Sequence, residues 1–353
     1  MDLKRFTHKE FILVGQGIAG SILAHQLIKA GKRILIYDVP EKNYSSMVAA
    51  GLFNPITGRR FVKTWKADQL FPYLNDYYRK LEIELQSEFF YHIPIFRPFL
   101  TIEEKNEMIS KTNLLVLGAY IDQILHFSPG NFHLINDLGG FLLKNTGYLD
   151  IPCLINSMRE FIRSKGELRE ETFEYEQLEI LPEGIRYKDF TAEKIIFCEG
   201  AHASKNPFFM WLPFRPVKGE ILMIDPDIQI DFIYNRKIFI LPYKKGLYKV
   251  GSTYTWDYMD VLPTEEAKNF LEEKLNQIFR VKYNVVAHFA GIRPATKDRR
   301  PFIGMHPDYP FIGIFNGLGS KGVSLGPYFA QQFVGYLLKD KELDKEVNIN
   351  RYY

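Results

Sequence analysis

Near the N-terminus, Gly15-Gln16-Gly17-Ile18-Ala19-Gly20 have the residue types and spacing to cradle a diphosphate. In such a turn Gly15 lets the chain reverse tightly, Gly17 lets backbone approach a pyrophosphate, and Gly20 lets the following helix pack closely on the strands. The N–H groups that open that helix, at Ile18 and Ala19, offer donors and the positive dipole end to the phosphates. Asp38 follows about twenty positions later. A carboxylate there accepts hydrogen bonds from both hydroxyls of an adenosine ribose and repels a 2′-phosphate, which argues against NADP. FAD and NAD share the ADP half, so the fingerprint alone leaves both open.

These residues require a strand, a turn, a helix and a second strand. Glu10–Val14 is a short apolar run, and Ser21–Lys29 carries Ile22, Leu23, Leu27 and Ile28 at helical spacing. Gly31 closes that helix, and Arg33–Asp38 is the second strand. Tyr44–Val62 reads as a loop held against something. Further helices are expected over Ala67–Ser87, Pro152–Lys165, Thr264–Phe279 and Pro327–Leu338, while Glu103–Lys111 has a mixed pattern. Strands are expected over Thr172–Leu181, Gly184–Tyr187, Lys194–Cys198, Pro213–Ile224, Lys237–Thr253, Val285–Ile292 and Phe311–Phe315.

The 353 residues, 46% hydrophobic and 25% charged, suffice for two domains with a large core. A net charge of +3 is too small to demand nucleic acid or an anionic membrane. The basic clusters Arg59-Arg60 with Lys63 and Lys66, and Arg299-Arg300 with Lys297, read as solvated faces. No stretch is long and apolar enough to span a bilayer, and the N-terminal apolar run reads as a strand rather than a signal peptide. Cys153 and Cys198 have no metal-ligand spacing and make no disulfide framework. No metal is expected, and a reducing cytoplasm is the default.

Six segments carry a broader resemblance. They are Ser45-Ser46-Met47-Val48-Ala49-Ala50-Gly51-Leu52, Ile195 to Ser204 around Gly200, Pro216 to Glu220, Ile240 to Thr253, Ala290 to Gly304 around Arg293, and Asn316 to Val323. In order and over most of the chain, they resemble the D-amino-acid-oxidase superfamily of flavoproteins. Glycine oxidase, sarcosine oxidase and the oxidase domain of the bifunctional tRNA wobble-uridine enzyme belong to it. The resemblance implies noncovalent FAD, since no cysteine lies near Arg293. It implies that the Ser45 and Ser46 hydroxyls approach the pyrophosphate and that Ala49, Ala50, Gly51 and Leu52 let backbone lie along the flavin edge. Gly200 keeps a turn small where it passes the cofactor. Gly319, Ser320, Lys321, Gly322 and Val323 form the site that stabilises negative charge on the flavin pyrimidine. Arg293 lies beside the ring and clamps a substrate carboxylate, a task suited to a planar guanidinium. Lys249 matches a lysine that assists reaction with oxygen in sarcosine oxidases. Ser320 stands where glycine oxidase has a second substrate-binding arginine.

The implied fold is α/β: a doubly wound, Rossmann-like FAD-binding domain with an inserted antiparallel-sheet substrate domain. Residues 1–80, 138–212 and 290–353 are assigned to the first, and 81–137 and 213–289 to the second. The implied reaction oxidises a C–N bond of an amino acid or secondary amine by hydride transfer to flavin N5, with oxygen or a quinone as electron acceptor. Three other readings stand beside it. One is an oxidase acting on a modified tRNA uridine, suggested by Gly319 to Gly322 and the basic Arg59–Lys66 stretch. The others are a non-enzymatic flavin-binding protein and an NAD-dependent dehydrogenase sharing only the first forty residues.

Overall fold

The computed structural model describes residues 6–40, 44–58, 61–112, 118–129, 134–135, 138–257, 259–339 and 341–353. Two eight-stranded sheets dominate it. The first is built on Phe190–Phe197, which pairs in parallel with Thr7–Val14 on one side and Ile312–Asn316 on the other. Thr7–Val14 pairs in parallel with Ile34–Tyr37, which pairs in parallel with Glu167–Arg169. Antiparallel Gly184–Tyr187 and Leu178–Leu181 extend one edge. These strands are apolar because both faces are covered. Ile12, Leu13, Ile195 and Ile196 have no exposed surface.

The second sheet runs Tyr283–Arg293, Val217–Pro226, Tyr248–Gly251, Ile238–Pro242, Ile233–Arg236, Ile95–Pro98, Gly140–Leu143 and Ile121–Leu125. All neighbours are antiparallel except Ile233–Arg236 with Ile95–Pro98. Its far face packs under the helix Glu265–Asn276 through Leu271 and Leu275. Thr264 caps that helix, its hydroxyl accepting from the Ala267 N–H at 3.2 Å. No described helix is long and apolar enough to cross a membrane.

Several elements differ from the sequence expectation. Gly140–Leu143 pairs within the second sheet, although 138 was placed at the start of a first-sheet segment. Tyr283–Arg293 likewise continues in that sheet beyond 289. Tyr44–Val62 is not wholly loop: Ser45–Val48 is a helical turn, followed by the short strands Leu52–Phe53 and Ile56–Thr57. Glu103–Lys111, ambiguous in pattern, lies in a helix over Ile102–Thr112. The last helix begins at Gly322 rather than Pro327. Proline lacks the N–H that would bond the carbonyl four residues back, Val323. The buried Tyr78 hydroxyl donates to that carbonyl at 2.9 Å, so the helix runs through Pro327 without an orphaned group.

Of the two basic clusters, Arg59 and Arg60 lie outside the described residues. Lys63 pairs with Asp68 at 2.5 Å, Lys66 with Asp344 at 2.6 Å and Arg300 with Glu346 at 3.3 Å. Much of this charge is therefore locally balanced.

Candidate active site

A cleft of about 660 Å³ runs from the C-terminal edge of the first sheet to the near face of the second. That volume lies within the ~300–1,000 Å³ of small-molecule and cofactor sites. Open parallel sheets bind ligands at this edge because loops diverge there. Gly15, Asp38, Glu199 and Leu318, each just past a strand end, are all on the wall.

At this end the glycines leave no room for a side chain. Gly15 has φ +95°, and a Cβ on it would lie 2.7 Å from the Cys198 carbonyl oxygen. A Cβ on Gly17 would lie 3.1 Å from Ser46 Oγ. Gly20 sits behind the wall, where a Cβ would come within 1.9 Å of the Gly15 oxygen. Gly15, Gly17, Ile18 and Ala19 line the cleft at the start of the helix Ile18–Lys29. The cradle therefore has the shape and donors for a diphosphate.

Asp38 is more engaged than the sequence suggests. One carboxylate oxygen accepts the Gln16 N–H at 2.8 Å, and the other pairs with Arg159. Lone pairs remain for a ribose, but the Arg159 charge weakens the argument that Asp38 repels a 2′-phosphate. The two serines also divide. Ser46 Oγ accepts the Ile18 N–H at 3.1 Å, at the helix start. Ser45 instead donates to the Ile292 carbonyl, tying this turn to the arginine strand.

Farther along, Ala49, Ala50, Gly51, Leu52, Gly200, Gly319, Ser320, Lys321, Gly322 and Val323 all line the cleft. Gly51, at φ +72°, is pressed against the Leu149 carbonyl, where a Cβ would fall within 1.9 Å. Charge separates along the wall. The acids Asp38, Glu171 and Glu199 lie past the first-sheet strands, whereas Arg97 and Arg293 come from the second sheet and Lys321 from the turn that opens the last helix. Glu199 is half-buried, accepting from the Tyr175 hydroxyl and the Asn206 amide, and desolvation pushes its carboxyl up to about 7.

Arg293 is held by neutral groups. Its guanidinium donates to Ser252 Oγ at 2.8 Å, to the Thr253 carbonyl at 3.3 Å and to the Lys218 carbonyl at 3.4 Å. It stacks on Tyr254 at 4.4 Å and lies flat over Gly219, where a Cβ would be 2.1 Å from a guanidinium nitrogen. Burial lowers its pKa. Lys321 is half-buried, donates to Thr64 Oγ1 at 3.4 Å, and is lowered by burial and then by Arg300 and Arg299.

Lys249 is placed differently. It is 6% exposed and not on the cleft wall. Its ammonium sits behind the Ala49 segment, donating to the Ala49 carbonyl at 3.4 Å and lying 4.2 Å from the Tyr243 ring centre. Burial lowers its pKa to about 8, against an opposing pull from Asp150. Ser252, inside the segment expected to line the site, is on the wall, whereas the sequence reading missed Arg97, Asn235, Phe239 and Tyr254 there. Only Arg97 left a signal, as one charge inside the apolar run Ile95 to Phe99.

Comparison with known proteins agrees with this geometry. Glycine oxidase of Pseudomonas aeruginosa is 23% identical over 346 residues, covering 90% of this chain and 91% of the relative. The crystal structure of glycine oxidase from Geobacillus kaustophilus superposes with a TM-score of 0.79 at 21% identity, over 95% of this chain and 96% of that one. Iminodiacetate oxidase from Chelativorans sp. superposes with a TM-score of 0.78 at 21% identity, over 97% and 98%. At these identities the superpositions establish the fold. A family model for FAD-dependent oxidoreductases matches residues 10–334, which take in both sheets and the entire cleft. The chain therefore belongs to the FAD-dependent oxidoreductase family, as an enzyme whose cofactor is FAD.

Proposed function

We propose that this enzyme oxidises a C–N bond of an amino acid or secondary amine whose carboxylate is anchored by Arg293. The observation that carries the reading is a largely buried guanidinium on the cleft wall whose partners among the described residues are all neutral. An arginine taken out of water without a carboxylate is costly, and a substrate carboxylate would complete it. The relatives named for glycine and iminodiacetate oxidation support the same substrate class.

FAD, bound noncovalently, supplies the acceptor for the substrate α-hydride. The chain supplies position and charge. Ser46 and the first-helix N–H groups would hold the diphosphate, Ala49 to Leu52 would border the ring, and Lys321 with the last helix start would favour negative charge at the ring end. Ser252, Thr253 and Tyr254 fix the guanidinium fork. Cys198 packs beside Gly20, and burial pushes its thiol pKa well up, away from attachment chemistry. A cytoplasmic location, with both cysteines free, fits this reading.

The test is anaerobic: bound flavin should be bleached by one or more of glycine, sarcosine, proline and D-amino acids. If none bleaches it while a modified uridine nucleoside does, the amino-acid reading is wrong.

Gly219→Ala probes the anchor without touching its charge. The new Cβ would displace the guanidinium, so KM for the carboxylate substrate should rise about 10-fold, with FAD content retained. Steady-state kinetics beside a flavin-to-protein ratio would check this. For Lys249, a role in oxygen reduction needs the charged ammonium, which is present below about pH 8 and lost above it. The rate of flavin reoxidation by oxygen should therefore fall as pH rises through 8, and Lys249→Met should flatten that profile. Stopped-flow reoxidation across pH 6–10 decides it, and a profile unchanged by Lys249→Met removes the role.

A further inference from the structure

Arg97 is the second guanidinium on the cleft wall, and its surroundings do not balance it. It is only 4% exposed. It donates to the Gly58 carbonyl at 2.8 Å and the Ile56 carbonyl at 3.4 Å, while its Nε has no partner among the described residues. Two guanidiniums lie against Phe61, Arg97 at 4.6 Å and Arg236 at 5.4 Å from its ring centre. Among the described residues one carboxylate, Glu104, serves both, and it pairs directly with Arg236. One buried positive charge is left over, and Arg97's pKa is held down to about 10 by burial and then by Arg236. Carbonyl partners could be met by a neutral donor, so they do not explain the charge. Removing a guanidinium from water without an anion to pair it is unfavourable.

The position of Arg97 says what could complete it. In the parallel pairing of Ile95–Pro98 with Ile233–Arg236, Arg97 falls beside Asn235. Asn235 pairs with Phe239, and Phe239 with Gly251, the residue before Ser252. Asn235, Phe239 and Ser252 all line the cleft. Arg97's strand is three spacings from that of Gly251, about 14 Å at ~4.8 Å per strand, and Arg293, two strands further on, reaches back over Gly219 to bond Ser252. Phe239, on a strand between those of Arg97 and Gly251, occupies the space a Gly251 side chain would need.

We infer that Arg97 is a second anion-binding group of the substrate site, and that the substrate is an amine bearing two acidic groups, one met by Arg293 and the other by Arg97. This rests on the proposed anchoring by Arg293 and adds the far end of the substrate.

The test uses FAD-loaded enzyme and matched pairs of secondary amines. N-carboxymethyl derivatives of glycine, β-alanine and γ-aminobutyrate are compared with analogues whose distal acid is a methyl group. The readout is the apparent Kd for anaerobic flavin reduction. The expected result is a preference of about 10- to 100-fold for at least one diacid over its monoacid partner. In Arg97→Met that ratio should fall to about one, and Arg97→Lys should restore part of it. Phosphonate analogues of the distal acid distinguish a carboxylate from a phosphate-like group. Wild-type enzyme with no diacid preference overturns the inference, and this arm stands even if Arg97→Met loses FAD. A preference that survives in Arg97→Met overturns it too. If monoacids bleach the flavin through Arg293 while the diacid ratio stays at one, only the Arg97 inference falls. If neither class bleaches it, the anchoring by Arg293 falls first.

Discussion

Gly20→Val is expected to yield protein without FAD. Any Cβ at this position would lie 1.9 Å from the Gly15 carbonyl oxygen and 3.0 Å from its carbon. Both are backbone atoms, so no side chain can swing away. Gly15 cannot yield either, because its φ of +95° and its contact with the Cys198 carbonyl already confine it. The helix Ile18–Lys29 must move off the turn, taking with it the Ile18 N–H now held on Ser46. Overpacking of this kind costs ~1–3 kcal/mol or more. All of it falls on the diphosphate cradle, so FAD affinity should drop about 100-fold or more. The flavin-to-protein absorbance ratio and titration of apoprotein with FAD measure the effect. Gly20→Val protein that purifies with full flavin would contradict this role for the first helix.

Arg293→Leu should leave FAD bound and lower kcat/KM by about 1,000-fold, equivalent to ~4 kcal/mol. The guanidinium's partners are Ser252, two backbone carbonyls and the face of Tyr254, all of which tolerate an apolar neighbour better than a carboxylate would. The loss therefore belongs to the substrate rather than to the fold. Arg293→Lys should recover little, because an ammonium cannot reproduce the planar fork over Gly219. Steady-state kinetics with the best bleaching amine, and the same measurement with its carboxylate replaced by an amide, check this. An unchanged kcat/KM in Arg293→Leu would remove the anchor.

The parts of this site that were legible in the sequence depend on local backbone. Gly15, Gly17 and Gly20 announce themselves because a strand ends and a helix begins within a few residues of them, and the backbone that excludes a side chain at Gly20 is that of nearby Gly15. Arg293 and Gly319 to Val323 were found through resemblance, which supplied their roles. What stayed hidden depends on pairing between distant segments. Arg97 reaches the wall because Ile95–Pro98 pairs in parallel with Ile233–Arg236, a registration that no short-range pattern encodes. Asp38 looked free because Arg159 is remote in sequence, and Ser45 looked like a phosphate ligand because its partner, Ile292, lies in the last long strand. Lys249 was read by position alone. The alternation of its strand puts it on the cleft side of the sheet, but the Ala49 segment comes between it and the cleft. Pro327 masked the true helix start because the Tyr78 hydroxyl that compensates for it comes from residues far upstream.

A crystal structure of the yellow enzyme grown with a non-oxidisable carboxylic acid would test the central claim most directly. The diphosphate should rest on the Ile18 and Ala19 N–H groups, and the acid should form paired hydrogen bonds with Arg293. A first helix without nucleotide, or an acid bound elsewhere while Arg293 stays with Ser252 and Tyr254 alone, would contradict it.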